Sequence, residues 1–205
     1  SFSRYSHGAE FSLIEGNKGL FDGLDLDGSN SNAALATLLV APIVLVIDTR
    51  GMTRGIAPLI LGYQDFDPTL NIAGVILNKV GGPRHEKKLR ATIEHYTDVP
   101  VLGAVHMNER LEISERHMGL TPTNEEPEVL AKLNTISSLI AGQVDLDAIR
   151  KITNKALYLP TPTLVRGNMG KPDIRIGIAK DSAFGFYYPG DLEALEEAGA
   201  TLVNI

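Results

Sequence analysis

Continuous apolar runs alternate with helical segments along most of this chain, and this alternation constrains the fold more than any other feature. Six runs are long enough for strands: Phe11–Ile14, Ile43–Ile47, Ile72–Leu77, Val99–Gly103, Ile174–Ala179 and Thr201–Asn204. The middle runs are apolar at successive positions, as expected for parallel strands that are buried on both faces. The sequence therefore predicts an α/β protein with a doubly wound, mostly parallel sheet.

Helical patterns occupy the intervals between these runs. The predicted helices are Asn32–Val40, Met52–Gly62, His85–Tyr96, Glu125–Ile140 and Asp145–Ile152. Ser31 or Asn30 is the expected N-cap of the first helix, and the third has Leu89 and Ile93 on its apolar face. The last two form a helical pair with no strand predicted between them.

A proline-rich segment divides the predicted elements into two groups. Residues 154–172 contain Pro160, Pro162 and Pro172, which do not fit a helix interior or a central strand. We therefore expect domains at 1–153 and 173–205, joined by a linker at 154–172. The second group reads strand, loop, helix, strand. This is one βαβ unit, which cannot bury both of its faces alone.

The composition excludes several classes of site. The 205 residues include no cysteine, so the sequence offers no disulfide, thiolate metal site or cysteine nucleophile. The net charge of −6 gives no basic surface for nucleic acid, and no apolar run reaches the roughly 20 residues of a membrane span. We expect a cytoplasmic protein without nucleic-acid or membrane partners. Predicted core strands lie near both ends, so we also expect the chain to be part of something larger.

A carboxylate follows the first predicted strand. Glu15 comes directly after Phe11–Ile14, and Gly16, Gly19 and Gly23 follow it at short intervals. Ligands of open α/β sheets bind outside the carboxyl ends of the strands. A carboxylate there can face a nucleotide and its Mg²⁺, and glycines let the backbone approach phosphate oxygens. The alternative is a buried strand that leads into a turn, with Glu15 in solvent.

Polar residues also end the next two predicted strands. Asp48 and Thr49 follow the second strand, where they can orient a nucleotide or cap the next helix. Asn78 follows the third, and its amide offers the donor and acceptor that match the edge of a purine; a turn residue is the alternative. Arg50 and Arg54 can bind phosphate or carboxylate groups bidentately or remain in solvent.

Three further patterns fail as sites. Residues 25–28 resemble part of a calcium loop, but Gly23 and Ala34 occupy its opening and closing ligand positions. Residues 167–171 resemble a phosphate loop with the wrong spacing, and Pro172 replaces the required Ser or Thr. The five histidines lack metal-ligand spacing.

Five motifs in register give the chain a family resemblance. They are Glu15–Gly23, Val44–Asp48, Gly74–Val80, Pro100–Gly103 and Glu115–Leu120. Their order and spacing resemble the cobyrinic acid a,c-diamide synthases, and Asp181–Tyr188 resembles the start of that family's glutaminase domain. The resemblance covers essentially the whole chain.

The resemblance implies an ATP-dependent amidotransferase of cobalamin biosynthesis. Such an enzyme converts the a and c carboxylates of a corrinoid substrate to amides with ammonia from glutamine, after ATP has activated each carboxylate. It implies a synthetase domain of the P-loop, dethiobiotin-synthetase-like type and a class I glutaminase domain. Phosphorylation supplies the leaving group that a carboxylate lacks, and Mg²⁺ stabilises the charge of the transferred phosphoryl group.

The resemblance also implies roles for individual residues. Glu15 is the expected acid near Mg²⁺ and the γ-phosphate, both as a catalytic residue and as a metal ligand. Asp22 is expected to position the substrate carboxylate or the metal. The residues expected to bind the nucleotide are Gly16, Gly19, Asp48, Thr49 and Asn78, of which Asn78 contacts adenine. A homodimer is among the expected assemblies.

Two parts of the family pattern are missing from this sequence. There is no GK[ST] phosphate loop upstream of Glu15, and the cysteine nucleophile of the glutaminase is absent. We therefore expect a central fragment that is inactive alone: the C-terminal part of the synthetase domain at 1–153 and a truncated start of the glutaminase domain at 173–205. The alternatives are a nickel-sirohydrochlorin a,c-diamide synthase, a non-catalytic ParA-like nucleotide-binding protein and an independent structural α/β module.

Overall fold

The fold alternates strands and helices, as the sequence predicts. The computed structural model describes residues 2–112, 126–154, 156, 174–181, 184 and 187–205. The strands are β1 (Ile43–Asp48), β2 (Ile72–Val80), β3 (Val101–His106), β4 (Ile174–Ile178) and β5 (Ala200–Asn204). The helices are α1 (Phe2–Tyr5), α2 (Asn32–Leu39), α3 (Ile56–Phe66), α4 (Pro83–Tyr96), α5 (Glu126–Ala141), α6 (Leu146–Thr153) and α7 (Pro189–Glu197), with a short 3-10 helix at Glu109–Leu111.

Two parallel sheets account for all five described strands. One has the order β1-β2-β3, and the other is the pair β4-β5. Within the first sheet, Asp48 lies opposite Asn78, and Val80 lies opposite His106. The carboxyl ends of three neighbouring strands therefore lie side by side, which is where open α/β sheets bind their ligands. The α/β class predicted from the sequence is confirmed.

The three-stranded sheet belongs to a unit that contains described residues of 9–112 and 134–159. Its core side chains come from β1, β2 and β3, from α3 and α4, and from the turn before β3. They are Leu45, Ile47, Ile56, Ile60, Ile72, Val75, Leu77, Val80, Leu89, Ile93, Val99 and Ala104. In α4, Leu89 and Ile93 are fully buried, one turn apart on the predicted apolar face.

The turn between α5 and α6 pairs with β3. The Ala104 N–H donates to the Gln143 carbonyl (3.0 Å), and the Asp145 N–H donates to the Leu102 carbonyl (2.7 Å). The side-chain Oε1 of Gln143 accepts from the His106 N–H (2.9 Å). A Cβ at Gly103 would lie 2.8 Å from the Gln143 carbonyl and 2.9 Å from the Val144 Cα, so this approach requires glycine.

The strand predicted at Phe11–Ile14 is wrong. These residues form no strand, and Leu13 is 82% exposed. An apolar run becomes a strand only where a neighbouring backbone satisfies its N–H and C=O groups. Among the described residues, Phe11–Ile14 pair with no strand, and β1 pairs with β2 alone.

Helix α3 begins four residues later than the sequence predicts. Gly51 adopts φ +70°, and the Met52 N–H donates to the Thr49 carbonyl (3.0 Å), which forms a turn after β1. Residues 52–55 are not helical, and the helix begins at Ile56. The predicted N-cap Ser31 is confirmed at α2, where its hydroxyl accepts from the Ala34 N–H.

The second unit contains described residues of 2–8, 126–133 and 174–205. Its β4, α7 and β5 form a βαβ unit whose strands are in register from Ile174 opposite Ala200 to Ile178 opposite Asn204. The hydroxyl of Tyr5 donates to Glu193 Oε2 (2.7 Å), which ties the N-terminal residues to α7. The motif Glu115–Leu120 and most of the predicted linker at 154–172 lie outside the described residues. None of the helices described is long and apolar enough to cross a membrane.

Candidate functional site

The glycine-rich segment after Glu15 folds into a turn held by Asn32 at the start of α2. The Asn32 amide donates to the Lys18 carbonyl (3.1 Å) and lies within 3.0 Å of the position that a Cβ at Gly16 would take. The Asp22 N–H donates to the Gly19 carbonyl (3.2 Å), and its carboxylate occupies the space of a Cβ at Gly19. The structure thus brings Gly16, Gly19 and Asp22 together.

An aromatic contact attaches this turn to α3. The ring of Phe21 stacks on Tyr63 with the centroids 5.7 Å apart and lies 4.6 Å from the Phe66 ring centroid. The backbone of Leu20 accepts from the Ala33 N–H (2.8 Å). Leu20 and Phe21 are therefore anchored directly before Asp22, which remains exposed to solvent.

Glu15 precedes this turn but does not end a strand. It is exposed, and no hydrogen bond from the described residues reaches its carboxylate. Its predicted position at the end of a strand is therefore wrong, for the reason given for Phe11–Ile14. Its carboxylate is nevertheless free to approach a ligand.

Thr49 ties the ends of β1 and β2 together. It is fully buried, and both its N–H and its hydroxyl donate to the Asn78 carbonyl at 2.9 Å. The Asn78 side-chain Oδ1 accepts from the Lys79 N–H (2.9 Å). The hydroxyl of Thr49 is thus used within the sheet, whereas the Asn78 amide nitrogen donates to none of the described residues.

Asp48 is the centre of a charged cluster at the same strand ends. Its carboxylate accepts from Arg50 Nε at 3.0 Å and from Arg50 Nη2 at 2.7 Å, and Lys79 Nζ lies 3.3 Å away. The hydrogen bonds from the Arg50 side chain and backbone, followed by that from Lys79, hold the pKa of the Asp48 carboxyl well below its usual range. Asp48 is therefore ionised at neutral pH and is occupied by two cations.

A second charged group, which the sequence analysis missed, lies at the end of β3. His106 Nε2 donates to Glu86 Oε2 (2.7 Å), and Arg90 Nε donates to Glu86 Oε1 (2.8 Å). Burial acts to raise the pKa of Glu86, but the hydrogen bonds from His106 and Arg90 outweigh it, so this pKa lies below its usual value. Glu86 and Arg90 are four residues apart in the sequence, which is the spacing of an ion pair along one face of a helix. This spacing is the sequence feature from which the pair could have been predicted.

Another histidine connects the turn after β1 to the start of α4. His85 Nδ1 accepts from the Gly81 N–H (3.1 Å), so its Nε2 carries the proton that is donated to the Met52 carbonyl (2.6 Å). Both ring nitrogens therefore have backbone partners. His85 serves to fix two loops at the carboxyl ends of β1 and β2.

The predicted site residues form two groups. Gly16, Gly19 and Asp22 lie in the turn before α2, whereas Asp48, Thr49 and Asn78 lie at the carboxyl ends of β1 and β2. Among the residues that the structure describes, no three His, Cys, Asp or Glu side chains are grouped as a metal site. A cation bound by Glu15 or Asp22 would need further oxygens from its ligand, which is how Mg²⁺ commonly binds beside phosphates.

Comparisons with known proteins identify relatives of most or all of the chain. The AAA domain family matches residues 2–115. The cobyrinate a,c-diamide synthase of Magnetococcus marinus is 43% identical over an alignment of 209 residues, gaps included, which covers 99% of this chain and 45% of the relative. The enzyme of that name from Methanosarcina acetivorans is 41% identical and covers 97% of this chain and 44% of the relative. No solved structure matches.

The chain thus spans a little under half the length of the curated relatives it matches. The matches nevertheless run through both units, from the turn after Glu15 to the β4–α7–β5 unit. Because the AAA domain family matches more than half of its residues, the chain belongs to that family, and the resemblance to the cobyrinate a,c-diamide synthases is confirmed.

Proposed function

We propose that this chain forms the central part of an enzyme that converts the a and c carboxylates of cobyrinate to amides, using ATP and ammonia from glutamine. The observation that carries the proposal is the 43% identity to a cobyrinate a,c-diamide synthase across 99% of the chain. The carboxylate oxygen attacks the γ-phosphorus and releases ADP, and ammonia then displaces phosphate from the acyl carbon. The relatives reported carry the cobyrinate name, so the nickel-sirohydrochlorin and ParA-like alternatives are not favoured.

The domain assignment is part of this proposal. Residues 1–153 belong to a dethiobiotin-synthetase-like synthetase domain, residues 154–172 to a linker, and residues 173–205 to the start of a class I glutaminase domain. The parallel β1–β2–β3 sheet supports the first assignment, and the βαβ arrangement of β4, α7 and β5 supports the last. The protein acts in the cytoplasm, with a homodimer as one possible assembly.

Glu15 and Asp22 are proposed to act where the substrate carboxylate meets ATP. Both carboxylates are exposed, and Asp22 is fixed by the turn that Asn32 and Phe21 hold. Glu15 would contribute a carboxylate oxygen, the ligand type that Mg²⁺ prefers, and the bound Mg²⁺ would neutralise phosphate charge. Gly16 and Gly19 make room for the Asn32 amide and the Asp22 carboxylate, which hold this turn in place.

Asn78 is proposed to contact adenine through its amide nitrogen. Its Oδ1 already accepts from Lys79, but a carbonyl oxygen has a second lone pair, so both halves of the amide remain usable. Thr49 supports this contact by fixing the Asn78 backbone, and Asp48 lies beside it in register. Their contribution to nucleotide binding is thus positional.

The test is amidation of cobyrinate by the complete protein that contains this chain. We expect Glu15→Gln to lower ammonia-dependent amidation by a factor on the order of 100 or more, because the step depends on charge placed at the phosphates. The matched control is Glu94→Gln, an exposed glutamate of α4, which should stay within about twofold. If Glu15→Gln kept amidation within a few-fold of normal, Glu15 would be a solvent-exposed residue with no part in the reaction. Absence of amidation in the unchanged protein would overturn the proposed function.

A further inference from the structure

The cluster of Asp48, Arg50 and Lys79 has more positive charge than its own contacts use. One carboxylate faces a guanidinium and an ammonium, so the cluster carries a net charge of about +1. Arg50 uses Nε and Nη2 on Asp48, and Lys79 Nζ makes one contact to it. Within the described residues, Arg50 Nη1 and the remaining Lys79 N–H groups have no acceptor. Their side chains are 61% and 47% exposed, so these donors face solvent.

The backbone at Lys79 is held in a conformation that lysine rarely adopts. Its φ is +56°, in the left-handed region, which costs a non-glycine residue roughly 1–2 kcal/mol. The register between β2 and β3 shifts between Leu77 and Val80, so Lys79 lies at an irregularity of the strand. The Asn78 side chain caps its N–H. This backbone places the ammonium beside the carboxylate of the neighbouring strand.

Folding stability alone is a weak reason for this arrangement. Exposed ion pairs contribute about 0–1 kcal/mol, which is no more than the left-handed residue costs. A glycine would adopt the same φ without that cost. The sequence instead has a long cation there, at the carboxyl ends of two neighbouring parallel strands, where ligands of such sheets bind.

We propose that Arg50 and Lys79 bind an oxyanion of the ligand, with Asp48 positioning the two cations and not touching the ligand. The guanidinium offers the planar N–H groups of Nη1, and the ammonium offers a compact charge beside it. The inference deepens the proposed function, on which it rests for its two sources of oxyanion: the phosphates of ATP and the carboxylates of the corrinoid. It assigns Arg50 and Lys79 a binding role that the motif resemblance did not give them.

The test is a titration of the isotopically labelled 205-residue chain, followed by NMR. The probes are tripolyphosphate for the nucleotide and tricarballylate, a small tricarboxylate, for the corrinoid, each compared with NaCl at equal ionic strength. We expect at least one probe to shift the Arg50 side-chain N–H and the Lys79 amide with saturation. Arg50→Gln and Lys79→Gly should each weaken that binding roughly tenfold, the loss expected for a charge-assisted hydrogen bond. Lys79→Gly keeps the left-handed backbone, so its fold is preserved.

The matched control is Lys87→Gln, which removes an equal charge from an exposed position of α4. It should leave the binding of either probe within about twofold. Saturation by tripolyphosphate alone would assign the site to phosphates, and saturation by tricarballylate alone would assign it to the substrate carboxylates. Shifts no larger than those from NaCl, or equal weakening by Lys87→Gln, would overturn the inference. The readout needs no amidation, so failure here would leave the proposed function standing, and failed amidation with intact oxyanion binding would count against the proposed function alone.

Discussion

Both sheets of this chain are parallel, yet their strands differ in how far their side chains are buried. In β2, Val75 and Leu77 are fully buried and α3 and α4 contribute the core that covers them. In β4, Ile174 is 64% exposed, and Ile178 is the buried residue of that strand. Both sheets pair as parallel ladders; the β4–β5 ladder has no register shift, whereas the β1–β2 ladder has one, between Ile43 and Val44. We therefore expect the layers that cover the strands, more than the strand pairing, to set the stability of each sheet.

Hydrogen exchange should separate the two sheets by the largest margin. We expect the amides of Val75 and Leu77 to exchange at least about 100-fold more slowly than those of Ile176 and Ile178, because a two-stranded unit opens locally while a packed core opens by global unfolding. The measurement is native-state exchange followed by NMR at two protein concentrations. Equal, concentration-independent protection in both sheets would show that β4 and β5 form a stable unit by themselves.

Large-to-small substitutions should repeat this contrast in free energy of unfolding. Leu77→Ala removes a fully buried side chain and should cost about 2–5 kcal/mol, through lost transfer energy and the cavity left behind. Ile174→Ala removes a mostly exposed one and should cost less than about 1 kcal/mol. Urea denaturation measures both. Comparable losses would mean that Ile174 is covered in solution.

Glycine substitutions test the close approaches in each sheet. Gly103→Ala would place a Cβ 2.8 Å from the Gln143 carbonyl, a backbone atom that cannot rotate away, and should cost about 1–3 kcal/mol. Gly177→Ala would meet the Ile205 side chain at 3.2 Å, and that side chain is 81% exposed. It should therefore be tolerated within about 0.5 kcal/mol. Thermal unfolding of the two variants provides the comparison, and a reversed order would contradict it.

The smallest expected effect is the pH dependence of the free energy of unfolding that arises from Glu86, which pairs with the end of β3 in the first sheet. In the folded state, the hydrogen bonds from His106 and Arg90 hold the pKa of Glu86 below its ordinary 4.5. The pairing therefore stabilises the fold at pH values above 4.5, and this stabilisation is lost as the pH falls through the folded-state pKa. Glu86→Gln should cost up to about 1 kcal/mol at pH 7, and the difference from the unchanged protein should narrow below pH 4.5. Glu94→Gln serves as the control. A constant difference across this range would argue against the pairing.

The sequence predicts the elements that contain their own signal. The apolar runs at β1 and β2 and the amphipathic face of α4 were predicted close to their observed bounds. Phe11–Ile14 has the same apolar character, but a strand also requires a pairing partner, which a local pattern does not contain. For Asp48 and Thr49, which follow the second predicted strand, the sequence left nucleotide binding and helix capping as alternatives. The structure shows the Thr49 hydroxyl bonded to the Asn78 carbonyl, a contact that depends on strand register and is therefore a tertiary property.

The sequence places several candidate site residues after strands, and the structure brings two of them together: Asp48 lies opposite Asn78 at the carboxyl ends of β1 and β2. Their binding roles stay predictions. The partners that define their chemistry were not predicted. The left-handed φ of Lys79 is invisible in a sequence where glycine or asparagine is the usual signal, and Gln143 is about 40 residues from the strand that it contacts. A non-glycine residue in the left-handed region and contacts between residues distant in sequence therefore account for the features of the site that were not predicted.

The contact between Gln143 and β3 has a consequence for association between molecules. A strand at the margin of a sheet presents unpaired N–H and C=O groups, on which a strand of another molecule can assemble. Here the Gln143 main chain takes the Ala104 N–H, and its amide side chain takes the His106 N–H two residues further along. Gln143 thus accepts two of the hydrogen bonds that a neighbouring strand would otherwise accept from β3. Substitution of the Gln143 side chain would therefore uncover the His106 N–H for pairing with another molecule, while the backbone bonds that Gln143 and Asp145 make to β3 would remain and no core residue would change.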